Sequence, residues 1–387
     1  MNLDFTPEQE QFRERIRSWL HDHMPKEERP EGCEASKQFD LAWQKQLYEG
    51  DWAGINWPKE YGGQGFSTMQ QLIFLMEYAK ADAPDDHYRF NGLNLTGPTI
   101  IACGSEEQKK QYLPPILKGE VIWCQGFSEP AAGSDLANLK CRAEIVGDEL
   151  VVNGSKIWTS WARFADWQQL LVRTGAPDSR HKGITWVINK MDNPGMQIRP
   201  IKDMSYGDDL HEVFYDNVRI PLKNVVGGIN NGWAVSMAQL AFERGTAFMP
   251  YSVRANKTME DLMELAKNTP MADGRFAIQH DGIAEELGFL RAEIRSLLTM
   301  TLLSVSRCEV KGMPGPEGSM LKLYSSEIHK RLFKLALEIL GPHRFNMKQY
   351  GPAWSRKFLY SFADTLGGGT SEIQRNIIGE RVLGLPK

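Results

Sequence analysis

The spacing of apolar residues changes its period twice along the chain, and this limits the fold more than any other feature. Apolar residues recur every three or four positions up to about residue 121 and again from residue 233, which is typical of helices burying one face. Between these regions, short β-rich runs alternate with Gly, Pro, Asn and Asp. We therefore predict an α+β multidomain chain, with an N-terminal helical domain (1–121), a central antiparallel β-barrel or sandwich (122–232) and a C-terminal four-helix bundle (233–387).

Local signals place individual elements within this plan. Thr6, Pro7 and Gln9 form a capping-box helix start, and further helices are predicted near 69–79 and 106–117. An apolar stripe predicts a bundle helix through Ile328, Leu332, Leu335, Ala336 and Ile339. Residues 142–153 (RAEIVGDELVVN) predict a hairpin, and the remaining β-rich runs are 170–173, 184–188, 196–200 and 212–220.

Charge and composition exclude several classes of protein. The 387 residues include 45 Lys and Arg and 49 Asp and Glu, so the net charge of −4 provides no positive field for nucleic acid. No run of about 18 apolar residues predicts a membrane span. The opening MNLDFTPEQEQ resembles neither a secretory signal nor a basic transit peptide. We expect a soluble, cytoplasmic protein.

The cysteines favour no disulfide framework and no metal site. There are five, at positions 33, 103, 124, 141 and 308, with no CxxC pair among them. An odd number of widely spaced cysteines is typical of reduced intracellular thiols. Small packed side chains are the favoured interpretation, and a nucleophilic cysteine with a histidine partner is the alternative.

Three segments carry residues suited to binding a ligand. In the first, residues 123–135 (WCQGFSEPAAGSD), Ser128, Gly133 and Ser134 lie among small residues, where backbone amides can approach a ligand closely. A loop that merely joins a helix to the β-domain is the alternative. In the second, residues 154–161 (GSKIWTSW), Trp158 precedes two hydroxyls, which suits an aromatic ligand. A buried tryptophan is the commoner interpretation of such a segment.

The third segment is a glycine run that leads into a helix start. Residues 367–374 read GGGTSEIQ, so free N–H groups could face an anion such as a pyrophosphate. It is neither a P-loop nor a Rossmann fingerprint, since the lysine of the first and the flanking strand of the second are missing. On its own, a glycine run is more often merely flexible.

Taken together, the segments resemble the acyl-CoA dehydrogenase family over essentially the whole chain. Residues 127–135 (FSEPAAGSD) match one family signature and residues 369–375 (GTSEIQR) match the C-terminal one. Residues 156–158 (KIW) and 113–120 (LPPILKGE) follow at the expected intervals. The resemblance implies an FAD-dependent flavoenzyme that converts an acyl-CoA thioester to the 2-enoyl-CoA.

The resemblance also implies a set of cofactor contacts, with FAD between the β-domain and the C-terminal helices. Gln125 and Ser128 are expected at the flavin ring, and Ser134 at the pyrophosphate and the CoA portion of the substrate. Trp158 is expected beside the isoalloxazine, with Ser160 bonding near N5. The positions expected at the phosphates and adenosine are Thr370 and Glu372.

The expected catalytic base departs from the commonest family pattern. Most members carry a glutamate at the position of Gly368, which has no side chain to act as a base. A minority carries it on the first helix after the β-domain, directly before an arginine, and this sequence has Glu243 and Arg244 there. The resemblance therefore implies Glu243 as the base, with Arg244 contributing to substrate binding. An ordinary ion pair is the alternative role for Glu243.

Two segments depart from the family where a neighbouring subunit completes the cofactor site. An arginine in register is missing from 263–275 (MELAKNTPMADGR), where Arg275 is the nearest candidate. Residues 338–344 (EILGPHR) place Glu338 where a neutral glutamine is usual. Both a divergent homodimer or homotetramer and a hetero-oligomer with a related subunit fit these departures. The second pattern resembles branches that act on large acyl-CoAs, including steroid side chains.

Three functions follow from the resemblance. The leading hypothesis is an acyl-CoA dehydrogenase for a bulky, branched or steroid-type acyl group, passing electrons to electron-transfer flavoprotein or a similar acceptor. The second is an FAD-poor partner subunit of a hetero-oligomeric dehydrogenase. The third is an acyl-CoA oxidase-like flavoenzyme, which the length of the chain disfavours.

Overall fold

The structure is a computed structural model of the 387-residue chain. It describes residues 4–30, 33–85, 87–205, 207, 209–245, 249–311, 315–345 and 352–386. For residues 33, 241–245, 311 and 352–353, only the backbone is described.

The N-terminal region is helical, as its apolar periodicity predicts. Thr6 caps the first helix: its Oγ1 accepts from the Gln9 N–H at 3.3 Å, and the Gln9 side chain accepts from the Thr6 N–H at 3.0 Å. The predicted helix near 106–117 ends at Gly119, which takes the left-handed conformation. The helices are α1 (Pro7–His23), α2 (Cys33–Glu49), α3 (Thr68–Lys80), α4 (Gly97–Cys103) and α5 (Glu106–Lys118).

The middle of the chain forms an eight-stranded sheet, which confirms the predicted β-domain. Its strands are β1 (Trp123–Gly126), β2 (Arg142–Val146), β3 (Glu149–Ser160), β4 (Trp167–Arg173), β5 (Ile184–Lys190), β6 (Met196–Ile201), β7 (Leu210–Pro221) and β8 (Val225–Val226). The order is β6-β7-β3-β2-β4-β5-β8, with β1 beside β4.

The pairing in the sheet is not wholly antiparallel, which differs from the prediction. β1 pairs with β4 in parallel, and so does β2 through a single residue pair. The reason is the connection after β1: residues 127–141 form a long loop instead of a tight turn, so β1 is not forced to run antiparallel to the next strand. This loop is the one that carries the first candidate segment.

Helices return after the sheet and pack around their own core. They are α6 (Gly232–Gly245), α7 (Met249–Asn268), α8 (Asp281–Lys311), α9 (Gly318–Leu340), α10 (Pro352–Asp364) and α11 (Ser371–Ile377). The predicted apolar stripe lies on α9, where all five of its residues are buried against α7 and α8. Among the described residues, no helix is long and apolar enough to cross a membrane.

A continuous apolar core joins the N-terminal helices to the sheet and to α6. Trp57, Ile116 of α5, Trp123 of β1, Trp186 of β5 and Val235 of α6 all belong to it and are buried. Burial of each such side chain contributes about 1.5–3 kcal/mol to the stability of the fold. This core therefore keeps β1, and the start of the loop that follows it, in a fixed position. The domain boundaries at 121/122 and 232/233 stay predictions.

Candidate functional site

The loop after β1 is held by a buried ion pair. Lys156 of β3 is fully buried and donates to Glu129 Oε1 at 2.7 Å and to the Phe127 carbonyl at 3.1 Å. The Glu129 carboxylate also accepts from the N–H groups of Lys140 at 2.6 Å and Cys141 at 2.8 Å. One carboxylate therefore connects the two ends of residues 127–141 and joins the loop to β3.

Two of the three candidate segments are brought together by this arrangement. The Ile157 N–H donates to the Ser128 carbonyl at 2.9 Å, so the loop lies directly beside the Trp158 segment. Gln125 on β1 and Ser128 are half-buried, whereas Ser134 is exposed. A Cβ built on Gly133 would meet no atom of the described chain within 4 Å, so the backbone there is open to a ligand.

Trp158 presents its ring outward from a strained position in the sheet. Its φ is +62°, a left-handed value that costs a residue other than glycine about 1–3 kcal/mol. The register of β3 against β7 shifts between Lys156 and Thr159, and this bulge turns Trp158 to solvent, where 56% of it is exposed. Ser160 lies two residues on and is half-buried. The ring and the hydroxyl together form an open aromatic wall with a hydrogen-bonding group.

The glycine-rich segment forms a tight turn before α11. Gly368 and Gly369 have φ values of +65° and +93°, which glycine adopts without strain. Gln374 donates to the Gly368 carbonyl at 2.9 Å, and Lys322 of α9 donates to the Gly369 carbonyl at 2.8 Å. Thr370 caps α11 by accepting from the Ile373 N–H at 3.3 Å. The described hydrogen bonds thus connect this segment to α9.

Glu372, the last predicted cofactor contact, is exposed on the first turn of α11. A hydrogen bond from its own backbone N–H, with a second from the Thr370 side chain, lowers the pKa of Glu372. It is a carboxylate at neutral pH. A phosphate would be repelled by this charge, so Glu372 suits a hydroxyl-bearing or amino-bearing part of a ligand better than a phosphate.

The predicted base lies on the helix that leaves the sheet. The backbones of Glu243 and Arg244 belong to the last turn of α6, but their side chains lie outside the described part of the chain. α6 is positioned against β5, because Trp186 Nε1 donates to Gln239 Oε1 at 3.2 Å. The role of Glu243 stays a prediction.

The residues that depart from the family pattern occupy the protein surface. Arg275 bonds Asp273 at 2.8 Å within the turn after α7, so its side chain is engaged locally. Glu338 is exposed on α9, 3.5 Å from Lys334.

The described cysteines and acidic residues show no sign of nucleophile or metal chemistry. Cys124 and Cys141 are buried, and burial raises the pKa of both thiols, that of Cys141 to about 11. A thiol with a raised pKa is a poor nucleophile. Within the described ranges, no group of three or more His, Cys, Asp and Glu residues could hold a metal ion.

Two further pairs of interacting residues could not be predicted from sequence patterns. Trp161 has a φ of +56° and contacts Tyr88 with ring centroids 5.8 Å apart. Asp364 at the end of α10 lies 3.8 Å from His329 of α9. Both pairs depend on contacts between residues distant in sequence, for which no local pattern exists.

The set of side chains fits an aromatic cofactor that carries phosphates. Trp158 offers a flat apolar face, Ser128 and Ser160 offer hydroxyl groups, and the open backbone at Gly133 leaves room for a phosphate chain. FAD has these chemical features, so its ring and pyrophosphate match the donors that the loop and β3 present.

The helix–sheet–helix order and this loop geometry agree with the family models that match the chain. Three models match, described as the N-terminal domain (residues 6–120), the middle domain (124–218) and the C-terminal domain (230–383) of acyl-CoA dehydrogenase. The chain therefore belongs to the acyl-CoA dehydrogenase family, a family of oxidoreductases.

Its relatives include named acyl-CoA dehydrogenases and chains of solved complexes. The chain is 38% identical to acyl-CoA dehydrogenase IpdE1 of Mycobacterium tuberculosis (strain ATCC 25618 / H37Rv), over 98% of each chain. It is similar in structure to a chain of the ChsE4-ChsE5 complex from Mycobacterium tuberculosis, with a TM-score of 0.86 and 34% identity over 100% of each chain. It is also similar to a chain of the Tcur3481-Tcur3483 steroid ACAD, with a TM-score of 0.86 and 30% identity over 100% of each.

Proposed function

We propose that the protein is an FAD-dependent acyl-CoA dehydrogenase that converts an acyl-CoA thioester to the 2-enoyl-CoA. Trp158 is the observation that carries the proposal. Four other tryptophans of the chain (Trp43, Trp57, Trp123 and Trp186) are at most 1% exposed, whereas Trp158 is 56% exposed in a strained conformation. An aromatic side chain held outward at a cost in free energy is best explained by a planar partner.

In this proposal, Glu243 removes the proton from the α-carbon of the thioester. A thioester α-proton is a weak acid, so the reaction needs a positioned base whose pKa burial raises towards the working pH. FAD, when bound, would supply the acceptor for the hydride that leaves the β-carbon. Gly368 supports the role of Glu243, because it places no side chain at the position where most family members carry the base.

The remaining predicted residues bind and orient the cofactor and the substrate. Gln125 and Ser128 contact the flavin ring, Trp158 packs beside it and Ser160 bonds near N5. Ser134 contacts the pyrophosphate and the CoA portion, and Arg244 contacts the substrate. At the adenosine and phosphate end, Thr370 and Glu372 complete the cofactor site, with Glu372 better suited to the adenosine portion because of its charge.

We further propose a bulky, ring-bearing acyl group, and electron-transfer flavoprotein or a similar acceptor for the electrons. Support for the acyl group comes from a similar solved structure, 30% identical in sequence, which is described as a steroid ACAD. A base carried by α6 also gives the acyl pocket a different shape from that produced by a base carried by the glycine turn.

The test is to purify the chain and record its visible spectrum during anaerobic titration with acyl-CoA thioesters. We expect a flavin absorbance band that bleaches with a branched or steroid-type thioester and bleaches less with a short straight-chain one. A chain that binds FAD but is bleached by no thioester would contradict the proposal. Release of hydrogen peroxide in air at the rate of turnover would favour the oxidase-like alternative.

The second candidate function is an FAD-poor subunit of a hetero-oligomer. Two similar solved structures are named as pairs of chains, and Arg275 and Glu338 depart from the family pattern for a partner's cofactor site. Co-expression with a related chain encoded nearby separates the two candidates. Flavin that appears only in the co-purified complex would favour the hetero-oligomer, and flavin bound by the chain alone would favour the homo-oligomer.

A further inference from the structure

A polar pair lies between α9 and α10, outside the proposed cofactor contacts. Asp364 Oδ2 of α10 is 3.8 Å from His329 Nδ1 of α9. Only 7% of His329 is exposed, and its Nδ1 is buried with no hydrogen-bond partner among the described atoms. The imidazole stacks on Phe333, with ring centroids 6.0 Å apart. A buried nitrogen without a partner costs about 1–3 kcal/mol, so it marks a position where a ligand group can bond.

The charge state of the pair at neutral pH follows from its surroundings. Burial raises the pKa of Asp364 to about 6, although the positive charges of Lys322 and Arg254 oppose the shift. Burial, with the charges of Arg254 and Lys357, lowers the pKa of His329 to about 4. Near pH 7, the pair is therefore mainly a carboxylate beside a neutral imidazole.

Tyr360 lies where this pair reaches the protein surface, since 22% of the Asp364 side chain is exposed. It lies one helical turn before Asp364 on the same face of α10, and 48% of it is exposed. Nevertheless, burial raises the pKa of Tyr360 to about 12, and the negative charges of Asp364, Asp209 and Asp203 add to the shift.

Charged groups from all three parts of the chain lie near the pair and Tyr360. Asp203 and Asp209 belong to the connection between β6 and β7, and the Asp209 carbonyl accepts from the Trp161 N–H at 2.6 Å. On the N-terminal side, Asp85 pairs with Arg254 of α7 at 2.7 Å. The connection between β6 and β7 therefore lies close enough to Tyr360 for its charges to act on the hydroxyl group.

The pair also lies close to the glycine turn. Asp364 is four residues before Gly368, and Lys322, whose charge acts on Asp364, donates to the Gly369 carbonyl at 2.8 Å. The proposed function places the reacting thioester near this turn. A group bound by Asp364 and His329 would then belong to the acyl chain, beyond the reacting carbons.

We propose that Asp364 and His329 bind a hydroxyl group of the acyl moiety, an inference that rests on the proposed function. Their 3.8 Å separation is too long for a direct hydrogen bond. A hydroxyl oxygen about 2.8 Å from each atom fits between them, donating its proton to the carboxylate and accepting from the Nδ1–H tautomer of His329. A hydrocarbon chain in this place would leave the carboxylate and the imidazole nitrogen unpaired.

The experiment compares CoA thioesters of hydroxylated cholanic acids with the hydroxyl-free 5β-cholanoyl-CoA. We expect kcat/KM for at least one hydroxylated thioester to exceed that of the parent about tenfold or more, because a site built to bond a hydroxyl rejects the analogue without it. Asp364→Asn and His329→Gln are expected to remove most of this preference by raising KM for the hydroxylated thioesters. Asp261→Asn, on an exposed side chain paired with Lys257, is the matched control.

Calorimetric binding of the same thioesters separates this inference from the proposed function. A hydroxyl preference in binding without flavin bleaching would overturn the proposed dehydrogenation and leave the hydroxyl site standing. Equal binding of every hydroxylated thioester and the parent would overturn the site, and so would variants that weaken both kinds of thioester equally. A water bound between Asp364 and His329 that stays in place with every thioester would also overturn it.

Discussion

Lys156 Nζ lies 2.7 Å from Glu129 Oε1, and this pair fixes the loop that carries two of the proposed cofactor contacts, Ser128 and Ser134. The lysine is fully buried, and the glutamate also receives two backbone N–H bonds. Because the same lysine precedes Trp158 by two residues, one interaction positions both the loop and the exposed ring. We regard Lys156 and Glu129 as positioning residues.

Replacing Lys156 by Met is expected to destabilise the fold by about 3–5 kcal/mol, because it leaves the Glu129 carboxylate buried without its charged partner. The loop that holds Ser128 should loosen as well, so FAD should dissociate more readily. Urea unfolding and flavin retention on a desalting column measure the two effects. Lys190→Met is the control, since Lys190 pairs with Asp192 at the exposed surface and should change stability by less than about 1 kcal/mol. Equal effects of both variants would contradict the positioning role.

Trp158→Ala should separate a ligand-binding role from a structural one. Since most of the ring is exposed, we expect a loss of stability below about 1 kcal/mol, whereas Trp186→Ala in the core should cost about 3–5 kcal/mol. The Trp158 variant should nevertheless bind FAD more weakly and shift its visible absorption bands. Unchanged flavin content and an unchanged spectrum in Trp158→Ala would rule out the predicted contact with the ring.

Glu243→Gln should leave FAD content near normal and lower turnover by several powers of ten, as loss of a general base does. The rate of flavin bleaching under anaerobic conditions measures the chemical step. Glu264→Gln is the control, because Glu264 is exposed on α7 and pairs only locally with Lys267. If the Glu243 variant keeps a tenth or more of the activity, another group is the base.

The Asp364–His329 pair predicts opposite effects of pH on stability. The pKa of Asp364 rises on folding from 3.8 to about 6, so its contribution is full below pH 3.8 and is lost as the pH rises through 6. The pKa of His329 falls from 6.5 to about 4, so its contribution is full above pH 6.5 and is lost as the pH falls through 4. In the wild type, the two largely cancel between pH 4 and 6.

Single variants should reveal how much each of the two residues contributes to the dependence of stability on pH. From pH 4 to 6, Asp364→Asn should become more stable relative to the wild type and His329→Gln less stable. Each change should be on the order of 3 kcal/mol, because about two pKa units correspond to that free energy. Urea unfolding at pH 4, 5 and 6 measures both slopes. Parallel stability curves for the wild type and both variants would show that the pair does not titrate as described.

Most helices and strands could be predicted because they rest on local interactions. The helix predicted near 69–79 spans Thr68–Lys80, and the one near 106–117 spans Glu106–Lys118. The hairpin at 142–153 forms β2 and the start of β3 around Gly147. Capping groups, glycine conformations and apolar periodicity act within a few residues, so a sequence displays them directly.

Only part of the candidate site could be predicted from such local sequence patterns. The motifs indicated that Trp158 and Ser128 bind a ligand. They did not indicate that Lys156 and Glu129 join the two segments to which these residues belong. The parallel pairing of β1 with β4 was also missed, because strand direction depends on where a long loop returns to the sheet.

The amino-acid sequence by itself determined the helix–sheet–helix order, the turns and the family motifs, since periodicity and backbone preferences are properties of neighbouring residues. Only the tertiary structure decided that Trp158 faces solvent, that Lys156 is buried against Glu129 and that His329 meets Asp364 across 35 positions. The physical reason is that exposure, desolvation and pairing depend on packing between distant segments. A side chain's pKa and its freedom to bind are therefore set by neighbours that its own stretch of sequence does not contain.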